Sequence, residues 1–152
     1  MELKIGGQCR DMYLKDRIRH AIDNDERVEC NFRYMEDEEL VSFITSASLV
    51  VLPYKEVLNS GAMILALSLS RPVLVPANTV NLDIQREVGV DWVITYEGDL
   101  SPCVLNNAMD SAVRLLRQAN AAPNLTGRSW SDAGVRFASA YTLALNIRNG
   151  FS

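Results

Sequence analysis

The sequence has few of the residues that build metal centres and disulfide frameworks. It contains three widely spaced cysteines, Cys9, Cys30 and Cys103, with no CxxC pair, and a single histidine, His20. An odd number of isolated cysteines argues against a disulfide framework and against a zinc site. One histidine excludes a histidine-based metal cluster. We therefore expect reduced, structural thiols, no bound metal and a cytoplasmic location.

Basic runs, a signal peptide and a membrane-spanning segment are lacking as well. The net charge is -4, and no Lys/Arg-rich run offers an electrostatic footprint for a nucleic-acid polymer. The start, Met-Glu-Leu-Lys-Ile, is too polar for a signal peptide, and the longest apolar run, Ala62 to Leu69, is far below membrane-spanning length. Gly6-Gly7-Gln-Cys is not the GxGxxG motif of dinucleotide-binding proteins.

What the chain does have is a regular alternation of short apolar strands and helical patterns. Its 152 residues, 48% hydrophobic and 22% charged, suit one globular domain with a real core. Strands are predicted at 3–5, 27–32, 49–52, 72–75 and 92–96, and helices at 12–22, 36–47, from 60, 82–88, 102–119 and from 129. Such alternation predicts a mostly parallel sheet with right-handed crossovers and helices on both faces. We predict a single Rossmann-like α/β domain over residues 1–152.

The segment from Leu49 to Val73 carries the clearest functional signal. It contains a buried strand that ends in Leu-Pro-Tyr54, a polar loop, a helix that opens on Ser60-Gly61 and a second buried strand. Ligands of open α/β sheets bind beyond the carboxyl ends of the strands. A helix start there offers unpaired N–H groups and a partial positive charge to a phosphate. Ser60 and Gly61 are therefore predicted to bind phosphate; an ordinary N-cap is the alternative.

Three further candidates lie between the strand end and the helix start or beside them. Tyr54 and Asn59 flank this region, either as binding residues or as rim residues. Glu56, in the loop between them, either orients a sugar hydroxyl or is simply solvated.

These residues resemble the C-terminal, donor-binding half of the GT-B glycosyltransferases, in particular the large retaining family 4 (group 1). The resemblance rests on Leu52-Pro-Tyr54, Ser60-Gly61, Ala66 and Arg71-Pro-Val73. It extends over roughly residues 3 to 148 through Asp37-Glu-Glu-Leu40, Glu87-Val-Gly89, Gly98-Asp-Leu100, and Ser129-Trp130 leading to Tyr141.

The resemblance implies a nucleotide-sugar donor and no cofactor. The amides of Ser60 and Gly61 would hold the donor diphosphate, and Arg33 and Tyr34 would meet the nucleobase or lie in a solvated loop. The intact enzyme would transfer a sugar to a polysaccharide, a lipid-linked or another acceptor, as in polysaccharide biosynthesis. The alternative is a non-catalytic Rossmann-like module that senses nucleotides or binds another protein.

Two departures from the family pattern qualify this expectation. Leu65 stands where many members carry the second glutamate of a Glu-x7-Glu pair, which places the chain in a Ser-Gly subgroup; Glu56 is one position away from the first. The family's first strand, its Arg…Lys pair and its acceptor-binding half have no counterpart in the sequence. We therefore expect a fragment that binds nucleoside diphosphate weakly and transfers no sugar, with at most peripheral membrane contact through the absent half.

The absent strand has a further consequence. It would lie between the first and third predicted strands, so its absence exposes two strand edges. Either the sheet closes up or a second copy of the chain pairs with it, and we favour self-association.

Overall fold

A computed structural model describes residues 2–54 and 60–126 of the chain. The strands are β1 (Leu3–Gly6), β2 (Val28–Asn31), β3 (Val50–Val51), β4 (Val73–Pro76) and β5 (Val93–Tyr96). The helices are α1 (Met12–Ile22), α2 (Asp37–Thr45), α3 (Ser60–Ser68), α4 (Thr79–Val88) and α5 (Pro102–Leu116). Every strand pair is parallel, β1 with β2 and β4 with both β3 and β5. The predicted parallel α/β class is confirmed.

The chain divides into two compact units between Phe43 and Ile44. The first contains the sheet β1-β2, and the second contains the sheet β3-β4-β5. Closure of the sheet and pairing with a second copy both stay predictions. That residues 1–152 form one domain stays a prediction.

The core of the second unit is built around β4, which is covered on both faces. Val73, Leu74 and Val75 are almost completely buried, and successive residues of a strand point to opposite faces. Leu74 packs with residues from the strands and from α5 in one cluster, namely Leu49, Tyr96, Ala108 and Ala112. Apolar runs without alternation are typical of parallel strands buried on both sides, as the sequence predicts for this one.

In the first unit, the close approach of β1 to its neighbours depends on a glycine. A Cβ added to Gly6 would lie 2.5 Å from Cε of Met35 and 2.7 Å from Cζ of Phe43. Helix α1 begins at an N-cap, Asp11, whose carboxylate accepts a hydrogen bond from the backbone N–H of Leu14 at 3.2 Å. None of the helices in the described ranges is long and apolar enough to cross a membrane.

Three predicted helices have other bounds in the structure. Helix α2 spans Asp37–Thr45 instead of 36–47, and capping explains the different start of α4. Helix α4 begins at Thr79 instead of residue 82, because Oδ1 of Asn78 accepts a hydrogen bond from the N–H of Asn81 at 2.9 Å and caps the helix. Helix α5 ends at Leu116 rather than at 119, with Arg117 as its C-cap. The predicted closure of α4 by Gly89 is confirmed, since the N–H of Gly89 bonds the carbonyl of Gln85. The predicted last helix, with Ser129, Trp130 and Tyr141, lies outside the described residues.

The turn before β2 gives a prediction about pH. Both the side chain and the backbone N–H of Arg27 donate to the carboxylate of Asp25, at 2.6 to 3.0 Å, and lower the pKa of Asp25 from 3.8 to about 2. Because this pKa is depressed in the folded state, the contribution of the pair to stability is fully present above pH 3.8 and is lost as the pH falls towards 2. An NMR titration of the Asp25 carboxyl carbon should follow the low value.

A pair of variants tests the cause of this shift. In Arg27→Gln the pKa of Asp25 should rise towards 3.8 but stay below it, since the backbone N–H still donates. Arg86→Gln, which removes an exposed arginine paired with Asp83, is the control and should leave the titration of Asp25 unchanged. An unchanged titration in Arg27→Gln would contradict the assignment.

Candidate functional site

The predicted site lies where the strands of the second unit end. Strands β3, β4 and β5 are neighbours and parallel, so their carboxyl ends meet at one edge of the sheet. Helix α3 follows β3 and begins at Ser60, as predicted from the sequence. A helix that begins at this edge directs the unpaired N–H groups of its first turn to the region where ligands of parallel sheets bind.

Gly61 is the informative residue of this helix start. It is exposed, and a Cβ added to it would meet nothing within 4 Å among the described residues. It is also absent from the glycines with a positive φ, which are Gly7, Gly89 and Gly98. Among residues 2–54 and 60–126, neither packing nor backbone conformation therefore requires a glycine at this position. An uncovered backbone at a helix start is what a phosphate needs in order to approach the N–H groups closely.

The rest of α3 anchors this start in the core. Met63, Ala66 and Leu67 are buried, whereas Leu65 is only partly buried. Leu65, which stands in place of a family glutamate, is therefore neither buried with these core residues nor exposed like Gly61 at the helix start.

Of the other residues predicted to bind at this strand end, the structure describes Tyr54 but not Glu56 and Asn59. Tyr54 follows β3 and is 48% exposed, which places an aromatic ring in solvent just beyond the strand end. Glu56 and Asn59 lie outside the described residues, so their predicted roles stay predictions.

Arg33 and Tyr34, predicted to meet a nucleobase, belong to the first unit and follow β2. The guanidinium of Arg33 donates from both terminal nitrogens to the carboxylate of Glu39, one bond being 2.8 Å, and also to the carbonyl oxygen of Tyr34 at 3.1 Å. The Glu39 pair raises the pKa of Arg33 above its ordinary value. Tyr34 is 61% exposed. Both side chains are therefore exposed, while the terminal guanidinium nitrogens of Arg33 are occupied by hydrogen bonds within the first unit.

Arg71, part of the motif that carries the family resemblance, has a local structural role. Its Nε and Nη2 donate to the carbonyl oxygen of Thr45, near the end of α2, at 3.1 and 2.8 Å. These two hydrogen bonds tie the side chain of Arg71 to the C-terminal end of α2.

Replacing Arg71 with lysine should therefore lower the free energy of unfolding by roughly 1 kcal/mol, since one of two hydrogen bonds is lost. Nucleotide binding should not change. Urea unfolding and calorimetric titration measure the two quantities. Arg86→Lys is the control, because the exposed pair of Arg86 with Asp83 is expected to contribute less than about 0.5 kcal/mol. Loss of nucleotide binding in Arg71→Lys without loss of stability would contradict the structural role.

One feature of this edge was missed from the sequence. A cleft of about 460 Å³ opens at the carboxyl ends of β4 and β5, and we call it the β4–β5 cleft. It is lined by residues 76–78 on one side and 96–99 on the other. The usable signal was the position of Asn78 and of Gly98-Asp99 directly after two predicted parallel strands. Among residues 2–54 and 60–126 no group of three or more His, Cys, Asp or Glu side chains is arranged to hold a metal ion.

Comparison with known proteins supports the family resemblance. The chain is 35% identical over 145 residues to two curated proteins from Xanthomonas campestris pv. campestris, each described as a GDP-mannose:glycolipid 4-beta-D-mannosyltransferase. The alignment covers 95% of this chain but only 41% of each relative, so the chain spans less than half the length of the proteins that it matches. No family model matches the chain. No solved structure matches it either. The chain is thus homologous to a segment of a glycosyltransferase, as the resemblance in its sequence predicts.

Proposed function

We propose that the protein to which this chain belongs is a GT-B glycosyltransferase of the group 1 type, and that the N-terminus of α3 receives the diphosphate of its nucleotide-sugar donor. The observation that carries the proposal is Gly61, an exposed glycine at a helix start on the ligand-binding edge of a parallel sheet. The part of the chain that the structure describes shows no packing or conformational requirement for a glycine there. Homology to a mannosyltransferase supports the same conclusion independently.

The chemistry of sugar transfer explains why such a helix start is useful. The bond between the anomeric carbon and the diphosphate oxygen breaks, a bond from the anomeric carbon to an acceptor hydroxyl oxygen forms, and the hydroxyl proton is released. Negative charge therefore develops on the departing diphosphate. Backbone N–H groups already oriented towards it stabilise the transition state without reorganisation.

The relatives suggest a specific donor and acceptor. Both are described as using GDP-mannose and a glycolipid, and we propose GDP-mannose and a lipid-linked acceptor for this protein as well. No cofactor enters the proposal. Two expectations about partners stay predictions: an acceptor-binding half in the same protein, and pairing of the chain with a second copy. Light scattering of the purified chain tests the pairing.

The stereochemical course needs its own test. The resemblance to family 4 predicts retention of the anomeric configuration, whereas the relatives are named for a beta-linked product. From a donor with an α-configured anomeric carbon, a β product requires inversion. The one-bond carbon–hydrogen coupling of the anomeric position in the product distinguishes the two courses, because only an α-linked product agrees with retention.

A thermal-shift panel of GDP, UDP, ADP and their sugars tests the proposed donor. A ligand that binds only the folded chain stabilises it by about 2.7 kcal/mol at 100 times its Kd, which raises the Tm of a protein of this size by roughly 5–10 °C. We expect the largest shifts with GDP and GDP-mannose. No shift with any nucleotide would contradict the proposal and favour the non-catalytic interaction module.

A further inference from the structure

We propose that the β4–β5 cleft binds a sugar ring, as a subsite beside the diphosphate-binding start of α3. The inference rests on the proposed function and extends it to a different part of the sheet edge. The cleft belongs wholly to the second unit, in which β4 is the common neighbour of β3 and β5. Neighbouring strands are about 4.8 Å apart, so a group bound at the ends of β4 and β5 lies within one or two strand spacings of the end of β3.

The walls of the cleft are fixed by hydrogen bonds that do not involve a ligand. The N–H of Ala77 donates to the carbonyl of Tyr96 at 2.7 Å and joins the two sides. Asn81, which is 8% exposed, donates from Nδ2 to the carbonyl of Pro76 at 2.9 Å, while its N–H bonds the side chain of Asn78. The cleft therefore exists before any ligand binds, and preorganisation reduces the entropy cost of binding.

The opposite wall turns through a strained backbone that only glycine adopts easily. Gly98 has a φ of 70° and lies between two acidic residues, Glu97 and Asp99, at the cleft. All three are exposed. Within the described residues the carboxylate of Glu97 has no hydrogen-bond partner, and the Nδ2 of Asn78 has none either. The lining of the cleft thus combines the carboxylate of Glu97, a hydrogen-bond acceptor, with the amide of Asn78, a donor.

This lining selects a neutral polyhydroxylated ligand. A carboxylate repels a phosphate but accepts strong hydrogen bonds from hydroxyl groups, and the amide of Asn78 can donate to a hydroxyl or ring oxygen. The volume of about 460 Å³ lies within the range of roughly 300–1,000 Å³ typical of small-ligand sites. The arrangement separates the two halves of a nucleotide sugar, with the charged diphosphate at the helix start and the neutral sugar between the walls that carry Asn78 and Glu97.

The test compares Glu97→Gln with Asp91→Asn, using the whole chain. Both residues are exposed acids that flank β5. Asp91 lies before the strand, and Glu97 lies directly after it. Calorimetric titration gives the Kd for GDP and for GDP-mannose. If the cleft holds the donor sugar, Glu97→Gln should weaken GDP-mannose binding roughly tenfold and leave GDP unchanged, and Asp91→Asn should change neither.

A second arm addresses an acceptor sugar. Saturation-transfer NMR with methyl mannoside and methyl glucoside, with and without GDP, detects ring binding directly. Saturation transfer to a glycoside in the wild type and Asp91→Asn but not in Glu97→Gln, with unchanged affinity for GDP-mannose, supports the cleft as a sugar site for the acceptor. The absence of any effect of Glu97→Gln in both arms overturns the proposal.

The two proposals fail separately. If the wild type binds neither GDP nor GDP-mannose, the proposed donor function is wrong, and the glycoside arm alone then decides the cleft. If both nucleotides bind and Glu97→Gln affects no sugar, the donor function stands and the sugar subsite is wrong.

Discussion

Replacing Gly61 with aspartate should abolish detectable GDP binding while leaving the chain as stable as before or slightly more stable. A carboxylate at this position lies where the diphosphate is proposed to bind, so charge repulsion opposes binding. The same carboxylate in the first turn of α3 interacts favourably with the helix dipole, by about 0.3–1 kcal/mol. An added side chain meets no neighbour within 4 Å among the described residues. Calorimetric titration of GDP and urea unfolding measure the two effects.

The matched control is Ser68→Asp at the opposite end of the same helix. Ser68 is exposed and its hydroxyl donates to the carbonyl of Leu65 at 2.8 Å. A carboxylate at a helix C-terminus is unfavourable, so this variant should lose stability by up to about 1 kcal/mol and keep its affinity for GDP. Gly61→Asp should thus lose GDP binding without losing stability, whereas Ser68→Asp should lose stability without losing GDP binding. Equal GDP affinity in Gly61→Asp and wild type would contradict the placement of the diphosphate.

Replacing Leu74 with alanine should lower the free energy of unfolding of the second unit by roughly 3 kcal/mol. Leu74 has no exposed surface and lies in the central strand, in contact with the cluster formed with α5. Removal of three carbon atoms there loses burial and leaves a cavity that a strand held on both sides cannot close. Urea unfolding followed by far-UV circular dichroism gives the difference.

Val90→Ala is the control for this effect, because Val90 belongs to the same unit but is 66% exposed. We expect a change below about 0.5 kcal/mol for it. A cost of less than about 1 kcal/mol for Leu74→Ala would mean that the sheet β3-β4-β5 is not the core of the unit.

The fold could be predicted from the sequence where apolar residues follow a clear pattern. The bounds of α1 match the predicted 12–22, which rested on the periodic spacing of its apolar residues. The strand at Val73 was predicted from an apolar run after proline, and it is buried on both faces. The start of α4 was missed because its N-cap, Asn78, precedes a first turn with no apolar period. A cap is decided by side-chain geometry, which composition does not reveal.

Only part of the candidate site could be predicted from the sequence. The helix start at Ser60-Gly61 was predictable because it follows a recognisable strand within a few residues. The β4–β5 cleft was not, because its two walls are separated by about twenty residues and come together only when β4 pairs with β5. Arg71 shows the same limit: a family motif suggested it, but its partner Thr45 lies 26 residues away.

The most direct test of the account is an NMR titration of the isotopically labelled chain with GDP. The central claim is that the backbone amides at the start of α3 hold the diphosphate. It predicts that the largest shifts of amide resonances occur at Gly61, Ala62 and Met63. Binding of GDP with shifts confined to other residues, or no shift at any amide, would contradict it.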